Sequence, residues 1–504
     1  MIEIIRIADP SSYLFDLTKK FGSGAPLKRI FQTVLAQDCR TILLEKDYKD
    51  EGWTSEHKMF YGNLFKQHSD KTTRLHFFTS KITKQDLTSL KKHQEQYLGF
   101  CVLRPLESQK VVIAIIKPIE DKNYPKRWFI LCRQIFPVEI NIGHGDSQTL
   151  EVDGFAFIQQ DGQLGCCSHV ALAMADRFLI NEEKPERKYK PHQPYLIGDI
   201  VESVSSVSEV KRLIPTEGLR PMQISEALKK MGYSPLVYEY GQDRERPFPP
   251  ERVIYHYLES KIPIIVGIPT AAGKHALTVI GHSFEPDLWW ALAEKPYYNS
   301  RPSGVDHHCS TTWLQNFIVH DDNFGPYLTI PKEFIWAASR ETLIVMVPLP
   351  PNVNITGEEA ETIAYVLLVS ATRIAAEETN VTQEDGKYFN IFREHLQNED
   401  LVLRTWLLPS EQFKKQYVSP AVAEYYNNLK MPNKIWLTEV SIPELFCQAR
   451  LRLGEVIIDP TAAKTRTCFL AIHLPGYMIF RNVDTEELDF FEVVNDEPFK
   501  HVMR

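Results

Sequence analysis

The apolar residues of this chain come in short runs between polar segments, and this pattern restricts the folds that the chain can adopt. Runs such as VVIAII at 111–116 and PIIVGIP at 263–269 have the length of single β-strands. No uninterrupted apolar run approaches the roughly 20 residues that a membrane-spanning helix needs. The sequence therefore predicts short strands at these runs and no contact with the interior of a membrane.

The chain is too long for one hydrophobic core. It has 504 residues, whereas single cores stop growing near roughly 250–300 residues, so we expect two or three domains. Apolar residues make up 43% and charged residues 24% of the chain, which is typical of globular proteins and not of disordered ones. The formal net charge is −8, with no basic block. This balance predicts no nucleic-acid partner and no anionic membrane surface as partner.

The N-terminus and the cysteines indicate a compartment. The opening MIEIIRIADPSS has no basic region followed by an apolar core, so we expect no signal peptide. The eight cysteines are dispersed along a long chain, which does not resemble a disulfide framework. Free thiols fit a reducing environment, and we expect a cytoplasmic protein.

Composition shifts predict three successive domains. Residues 1–150 read as β-rich, residues 151–347 as helices followed by mostly antiparallel strands, and residues 348–504 as mixed α/β. The boundary at PLPPNVN, 348–354, has three prolines that stop regular structure. The fold class expected for the whole chain is α+β.

A pair of cysteines stands at the predicted start of a helix, in QQDGQLGCCSHVALAMA at 159–175. A thiol reacts as a thiolate, and the N-terminus of a helix stabilises that charge. Taken alone, buried structural cysteines explain the pair better, because free cysteine is among the most buried residue types. Gln160 makes a catalytic role for the cysteine pair more plausible, since its side-chain N–H could bind an oxyanion beside the backbone N–H of the cysteine.

Two further stretches carry groups that could complete a thiol site. His275 opens the predicted strand HALTVIGHSF, where it could face a helix N-terminus across a cleft. His282 has the opposite strand parity, so we interpret it as structural. The stretch NFIVHDDN ends a strand with Asp321, and an acid there could orient the imidazole. A loop-end histidine and an Asx turn are the plain alternatives for these two stretches.

The order glutamine, cysteine, histidine, acid resembles that of papain-like cysteine peptidases. The resemblance is to their bacterial C39-like branch, which includes the peptidase domains of bacteriocin exporters. The matching stretches are QQDGQLGCCSHVALAMA, GLRPMQISEALKKMGY, PIIVGI followed by HALTVIGH, and FIVHDDNFGPY. The resemblance covers only the central part of the chain. It implies a domain with an N-terminal helix that carries cysteine and an antiparallel sheet that carries histidine and acid.

The resemblance also implies roles for individual residues. The spacing between glutamine and nucleophile in the family, counted from Gln160, implies Cys166 as nucleophile. Alignment of the following helix with the family implies Cys167 instead, and we prefer Cys167. His275 would be the base and Asp321 the residue that orients it. Gln160 would supply the oxyanion contact. The implied activity is a thiol hydrolase, a cysteine peptidase acting on a peptide or protein, without a cofactor.

Several alternatives stay open at this point. Asp322 and Asn323 could replace Asp321 as the orienting group. The same residues could catalyse acyl transfer of the transglutaminase or deamidase type. The fold could also be catalytically inert and serve as a protein-binding or regulatory module. The flanking domains could bind a protein partner in any of these cases.

The sequence departs from the family in the long segment between the histidine and the acid. Residues 284–312 are rich in aromatics, and Trp289, Trp290, Tyr297 and Tyr298 could line a cleft or pack on a neighbouring domain. The same segment contains the cluster DHHC at 306–309. Four consecutive residues cannot comfortably bind one tetrahedral ion, and no CxxC or HExxH accompanies them, so we expect no metal.

Overall fold

The computed structural model describes most of the chain, in two compact units. The described residues are 2–119, 128–143, 146–183, 192–205, 214–242, 248–271, 273–284, 298–300, 305–378, 387–398, 400–446, 451–463, 468–482, 484–493 and 497–500. Unit 1 comprises Met1–Gln242, Ile262–Gly281 and Phe317–Pro350, and unit 2 comprises Asp243–Lys261, His282–Asn316 and Pro351–Arg504.

This division differs from the three successive domains expected from the sequence. The predicted boundary at residue 150 falls inside unit 1, where Ala114 pairs with Phe157 in one sheet. The predicted boundary at residue 348 lies beside Pro350, where the last segment of unit 1 ends. Parts of the predicted central domain belong to unit 2. Composition shifts mark breaks along the chain, but strand pairing decides which segments share a core.

The strands of unit 1 form two main antiparallel sheets. The first has the order β1-β2-β3-β4-β5-β9, and the second has the order β10-β17-β11-β12-β15-β16, with β6 paired to β12. A separate hairpin joins β7 and β8. These strands are β1 (Ile2–Arg6), β2 (Thr41–Tyr48), β3 (Thr72–Phe78), β4 (Tyr97–Leu103), β5 (Val111–Ile116), β6 (Trp128–Ile130), β7 (Gln134–Gly143), β8 (Asp146–Gly154), β9 (Phe157–Ile158), β10 (Ser234–Gly241), β11 (Ile264–Thr270), β12 (Gly273–Phe284), β15 (Leu314–Asp321), β16 (Gly325–Pro331) and β17 (Thr342–Leu349).

Helices and short 3-10 turns surround these sheets. The 3-10 segments are Tyr61–Asn63 and Gln85–Gln96. The helices are α1 (Leu14–Phe21), α2 (Ala25–Ala36), α3 (Glu51–Met59), α4 (Cys167–Glu183), α5 (Ile197–Ser203), α6 (Pro221–Lys230) and α8 (Lys332–Ser339). Helix α6 begins at Pro221, because proline fits the first turn of a helix, and it ends before Gly232, whose φ of +87 favours glycine.

Unit 2 is built on an eight-stranded sheet with the order β13-β14-β18-β19-β21-β22-β23-β24, and β20 pairs with β25. Its strands are β13 (Tyr298–Ser300), β14 (Val305–Cys309), β18 (Val402–Pro409), β19 (Lys434–Ser441), β20 (Leu451–Arg452), β21 (Gly454–Ile458), β22 (Phe469–Leu474), β23 (Tyr477–Arg481), β24 (Leu488–Glu492) and β25 (Phe499–Lys500). Its helices are α7 (Pro250–Glu259), α9 (Gly357–Glu378), α10 (Lys387–Gln397), α11 (Ser410–Gln416) and α12 (Ala423–Asn428), with 3-10 turns at Ser310–Trp313 and Pro420–Val422.

A capping box marks the start of helix α9. The Glu359 carboxylate accepts from the Thr356 backbone N–H at 3.0 Å, and the Thr356 hydroxyl accepts from the Glu359 N–H at 3.3 Å. This reciprocal capping box satisfies two backbone donors that the first turn leaves unpaired. The expected α+β class is confirmed for the chain. Among the described residues, the helices are too short or too polar to cross a lipid bilayer.

A close backbone contact in unit 1 depends on glycine at one strand position. Gly99 has φ +120, and a Cβ built on it would lie 2.1 Å from the carbonyl oxygen of Ile115 on the paired strand. We expect Gly99→Ala to lower the free energy of unfolding of unit 1 by about 3 kcal/mol, because it adds a clash to backbone strain. Gly143→Ala is the matched control, with φ +99 and no atom near its Cβ. Urea unfolding curves should separate the two variants, and equal midpoints would contradict the steric explanation.

Candidate active site

The cysteine pair lies where helix α4 begins. Cys167 is the first residue of that helix, and both cysteines are half-buried. Residues 168–176 and 178–180 are all buried, so the helix is enclosed by the core on nearly every side. The backbone N–H groups of a first helical turn have no partners within the helix, so the Cys167 thiol lies in the positive field of this terminus.

The loop before the cysteines folds around a carboxylate that sequence reasoning did not single out. Asp161 is buried and accepts from the backbone N–H groups of Leu164 at 3.1 Å and Gly165 at 2.6 Å. The Tyr61 hydroxyl donates to its other oxygen at 2.7 Å. Gly162 adopts φ +75, which makes the tight turn possible. The Asp-Gly dipeptide in QQDGQ is a turn signal that could have drawn attention to this residue.

The two cysteines have different surroundings. The Cys166 thiol lies 3.6 Å from the carbonyl oxygen of Thr216, to which it donates, and burial raises the pKa of Cys166 to about 11. A thiol in this environment stays protonated at neutral pH. The Cys166 backbone N–H donates to Nδ1 of His169 at 3.3 Å. Cys166 therefore has a structural environment, whereas the Cys167 thiol is a hydrogen-bond partner of His275.

His275 and Asp321 lie together at the ends of two strands of the second sheet. Nε2 of His275 is 3.0 Å from a carboxylate oxygen of Asp321, and both side chains are largely buried. Because the carboxylate occupies Nε2, Nδ1 is the ring nitrogen that remains for another partner. Strand β15 ends at Asp321, and His275 lies near the start of β12, which begins at Gly273. The sheet therefore holds both groups in place.

The acids around His275 favour its charged form. Burial alone would lower the pKa of His275, but hydrogen bonds to Asp321 and Cys167 and the charges of Asp321 and Asp322 outweigh it. Together they raise the pKa of His275 to about 10. An imidazolium at neutral pH is the partner that stabilises a thiolate.

Asp322 and Asn323 are placed differently from Asp321. A carboxylate oxygen of Asp322 is 3.7 Å from Nε2 of His275, and both Asp322 oxygens are buried with no hydrogen-bond partner among the described residues. Burial raises the pKa of Asp322 to about 7, with a further rise from Asp321. The Asn323 amide nitrogen lies 3.4 Å from Nδ1 of His275. Of the three candidates, Asp321 is nearest to Nε2.

Gln160 reaches the same cleft. Its amide nitrogen donates to the side-chain oxygen of Asn323 at 2.9 Å. A carboxamide NH₂ has two hydrogens, so one remains that could bind an oxyanion. The preceding residue, Gln159, is buried and accepts from the Val111 backbone N–H at 3.0 Å, so it belongs to the core. Sequence reasoning missed the Gln160–Asn323 contact, because the two residues are far apart in the chain.

His275, Asp321 and Asp322 are also close enough together to be considered as metal ligands. A metal needs a neutral imidazole, and the raised pKa of His275 opposes that state. Nε2 of His275 is already bonded to Asp321. This group therefore fits an acid–base role better than a metal centre.

Other expectations lie outside this cleft or outside the described residues. Trp289, Trp290 and Tyr297 fall outside the part of the chain that the structure describes, and only the backbone of Tyr298 is described, in β13. A separate cavity of about 890 Å³ in unit 1 is lined by residues of both charges, and Cys167 and His275 are not among them. Its charged lining includes Glu45, Lys46, Asp47, Lys49, Asp50, Glu51, Glu56, Arg74, Glu139 and Arg177.

The sequence was also compared with known proteins. No protein-family model matches it, and no curated protein matches it. The chemistry of the site must therefore be inferred from its geometry.

Proposed function

We propose that unit 1 is a thiol hydrolase, a cysteine peptidase that acts on a peptide or protein. Cys167 is the nucleophile, His275 the acid–base group and Asp321 the residue that orients the imidazole. The observation that supports this most is the contact of His275 with the Asp321 carboxylate at 3.0 Å, together with the hydrogen bonds to Asp321 and Cys167 that raise the pKa of His275. The helix that carries cysteine and the strands that carry histidine and acid also agree with a papain-like arrangement.

The first half of the reaction follows from these positions. The Cys167 thiolate attacks the carbonyl carbon of the scissile amide, and a carbon–sulfur bond forms. The electron pair moves to the carbonyl oxygen, where the Gln160 amide and the Cys167 backbone N–H stabilise the negative charge. His275 gives its proton to the leaving nitrogen as the carbon–nitrogen bond breaks. The products are an acyl-enzyme and a free amine.

The second half regenerates the thiolate. His275, now neutral, takes a proton from water, and the resulting hydroxide attacks the acyl carbon. The carbon–sulfur bond breaks, the acid product leaves, and the thiolate–imidazolium pair returns. Asp321 holds Nε2 throughout, so that Nδ1 keeps facing the sulfur. An amine in place of water would give acyl transfer, and nothing in the geometry favours that outcome over hydrolysis.

Labelling with iodoacetamide tests the choice of nucleophile. We expect Cys167 to be alkylated at least about tenfold faster than Cys166 at neutral pH, because only a thiolate reacts and the Cys166 thiol stays protonated. Peptide mapping by mass spectrometry identifies the labelled residue. Cys166→Ser should keep the fast phase, and Cys167→Ser should remove it.

Two outcomes would contradict the proposal. Fast labelling at Cys166 would exchange the roles of the two cysteines. Slow labelling of both, unaffected by either substitution, would favour an inert fold that binds a partner. A peptide library incubated with the wild-type protein and with Cys167→Ser then tests cleavage, and products that contain a new amide bond to an added amine would indicate a transferase.

A further inference from the structure

Unit 2 contains a buried cluster of ligand-type side chains that the proposed thiol chemistry does not use. His256 lies on α7, Cys309 ends β14, and Glu361 lies in the first turns of α9. All three side chains are fully buried. Their ligand atoms lie within 4.8 Å of one another. We propose that His256, Cys309 and Glu361 bind one Zn²⁺ ion.

The spacing of the three groups fits a tetrahedral ion. The Cys309 sulfur is 3.6 Å from Oε2 of Glu361, and Nε2 of His256 is 3.6 Å from the same oxygen. For zinc bonds of about 2.3 Å to sulfur and about 2.1 Å to nitrogen and oxygen, tetrahedral geometry places sulfur and oxygen about 3.6 Å apart and nitrogen and oxygen about 3.4 Å apart. Small side-chain movements would therefore complete the site, with a solvent molecule as fourth ligand.

The state of His256 points independently to a missing ligand. Its Nδ1 lies 3.3 Å from the carbonyl oxygen of Thr405, a contact that needs a proton on Nδ1. With that proton on Nδ1, the neutral ring carries its lone pair on Nε2. Nε2 is buried and has no hydrogen-bond partner among the described residues. A buried lone pair directed at a carboxylate oxygen is unfavourable unless a proton or a metal cation lies between them, and a metal cation also accounts for the Cys309 sulfur beside the same oxygen.

Side chains and backbone groups next to the cluster hold the proposed ligands in position. Arg252 contacts the other carboxylate oxygen of Glu361 at 2.7 Å, which fixes the carboxylate and leaves Oε2 directed at the cluster. The Thr405 carbonyl fixes the His256 tautomer in the same way. The positive charge of Arg252 opposes a cation, so the thiolate of Cys309 is needed to offset it. Thiolate and imidazole ligands select zinc over magnesium or calcium.

Binding would exchange a proton for the ion. Without metal the Cys309 thiol donates to Oε2 of Glu361, so the sulfur carries a proton. Zn²⁺ displaces that proton to solvent, and the sulfur–zinc bond forms without any change in oxidation state. The three ligands come from the three separate chain segments of unit 2, so the ion would join all of them.

Only Cys309 of the cluster DHHC takes part in this proposal. The side chains of Asp306, His307 and His308 lie outside the described residues. The sequence by itself led us to expect no metal at this segment, because it does not show the other two ligands. His256 and Glu361 are each about 50 residues away in the chain, and only folding brings them together.

Metal content and cobalt substitution test the proposal on the full-length protein. After dialysis against metal-free buffer and reloading with one equivalent of Zn²⁺, elemental analysis should give about one zinc per chain. Co²⁺ added to the chelated protein should produce a thiolate-to-cobalt charge-transfer band. Cys309→Ser should abolish the band, while Cys468→Ser, a buried cysteine of the same unit, should keep it.

The cysteine of unit 1 is the necessary second control. Cys167→Ser should keep zinc and the cobalt band, and loss of the band in that variant would place the metal at the thiol site and overturn the proposal. Absence of a band in the wild-type protein, or its persistence in Cys309→Ser, would also overturn it. If Cys309→Ser does not fold, X-ray absorption on zinc-loaded Cys167→Ser decides, because the proposal requires one sulfur ligand there.

Discussion

Replacing His275 with alanine should abolish thiol labelling at acid pH. The pKa of His275 is raised to about 10, so its imidazolium is present throughout the range from pH 5 to pH 8.5 and is lost only as the pH rises through 10. While it is present it stabilises a neighbouring thiolate. An unpaired thiol of ordinary pKa, about 8.5, is ionised to roughly one part in three thousand at pH 5.

The pH profile of iodoacetamide labelling should therefore change shape. The rate at Cys167 in the wild-type protein should vary by no more than about tenfold between pH 8.5 and pH 5, because the ion pair persists. In His275→Ala it should fall by about 1000-fold over the same range, following the titration of a free thiol. Mass spectrometry after timed quenching measures both rates.

His395→Ala is the matched control for that experiment. His395 also hydrogen bonds a carboxylate, with Nδ1 at 2.8 Å from Asp400, and the bond to Asp400 raises its pKa. It lies in unit 2, whereas Cys167 lies in unit 1. The control should leave the labelling profile unchanged. A steep wild-type profile identical to that of His275→Ala would show that no thiolate–imidazolium pair forms.

Removing Glu439 should produce the largest loss of stability in unit 2. Its carboxylate is fully buried between two guanidinium groups, Arg404 at 3.2 Å and Arg452 at 2.9 Å. Glu439→Ala leaves two buried positive charges facing a cavity. Breaking a buried ion pair in this way costs about 3–5 kcal/mol of unfolding free energy. Arg404 and Arg452 also contact Glu259 and Glu455, so neighbouring acids offset part of the loss.

Urea unfolding and hydrogen exchange measure this effect. The midpoint for unit 2 should fall in Glu439→Ala, and amides of β19, which carries Glu439, should exchange faster. Glu411→Gln is the control, because Glu411 pairs with Lys415 on an exposed helix surface and such pairs contribute little. A midpoint shift in Glu439→Ala no larger than in the control would mean that the buried charges are not energetically coupled.

Local features of this protein are readable from its sequence. The helix that starts at the cysteines, the proline-led start of α6 and the capping box of α9 each depend on residues within four positions of one another. The apolar runs at β5 and β11 predict strands in the same way. These signals are local because capping bonds and side-chain periodicity act over one or two turns. The order of glutamine, cysteine, histidine and acid likewise directed attention to Gln160, Cys167, His275 and Asp321.

What the sequence could not supply is whatever depends on contacts between distant segments. It left Cys166 and Cys167 as alternatives, and the different contacts of the two thiols, to Thr216 and to His275, are the basis on which we propose Cys167. It placed a domain boundary at residue 150, where strand pairing joins the two sides in one sheet. The cluster of His256, Cys309 and Glu361 had no sequence signal at all.

The sequence by itself determined the residue types, the helix and strand starts and the order in which reactive groups occur along the chain. The tertiary structure alone decided which of those groups meet, how deeply each is buried and which segments share a core. The reason is physical. Caps and periodicity are set by neighbours in the chain, whereas pKa shifts, ion pairs and ligand spacing depend on distances of a few ångströms between segments that only folding brings together.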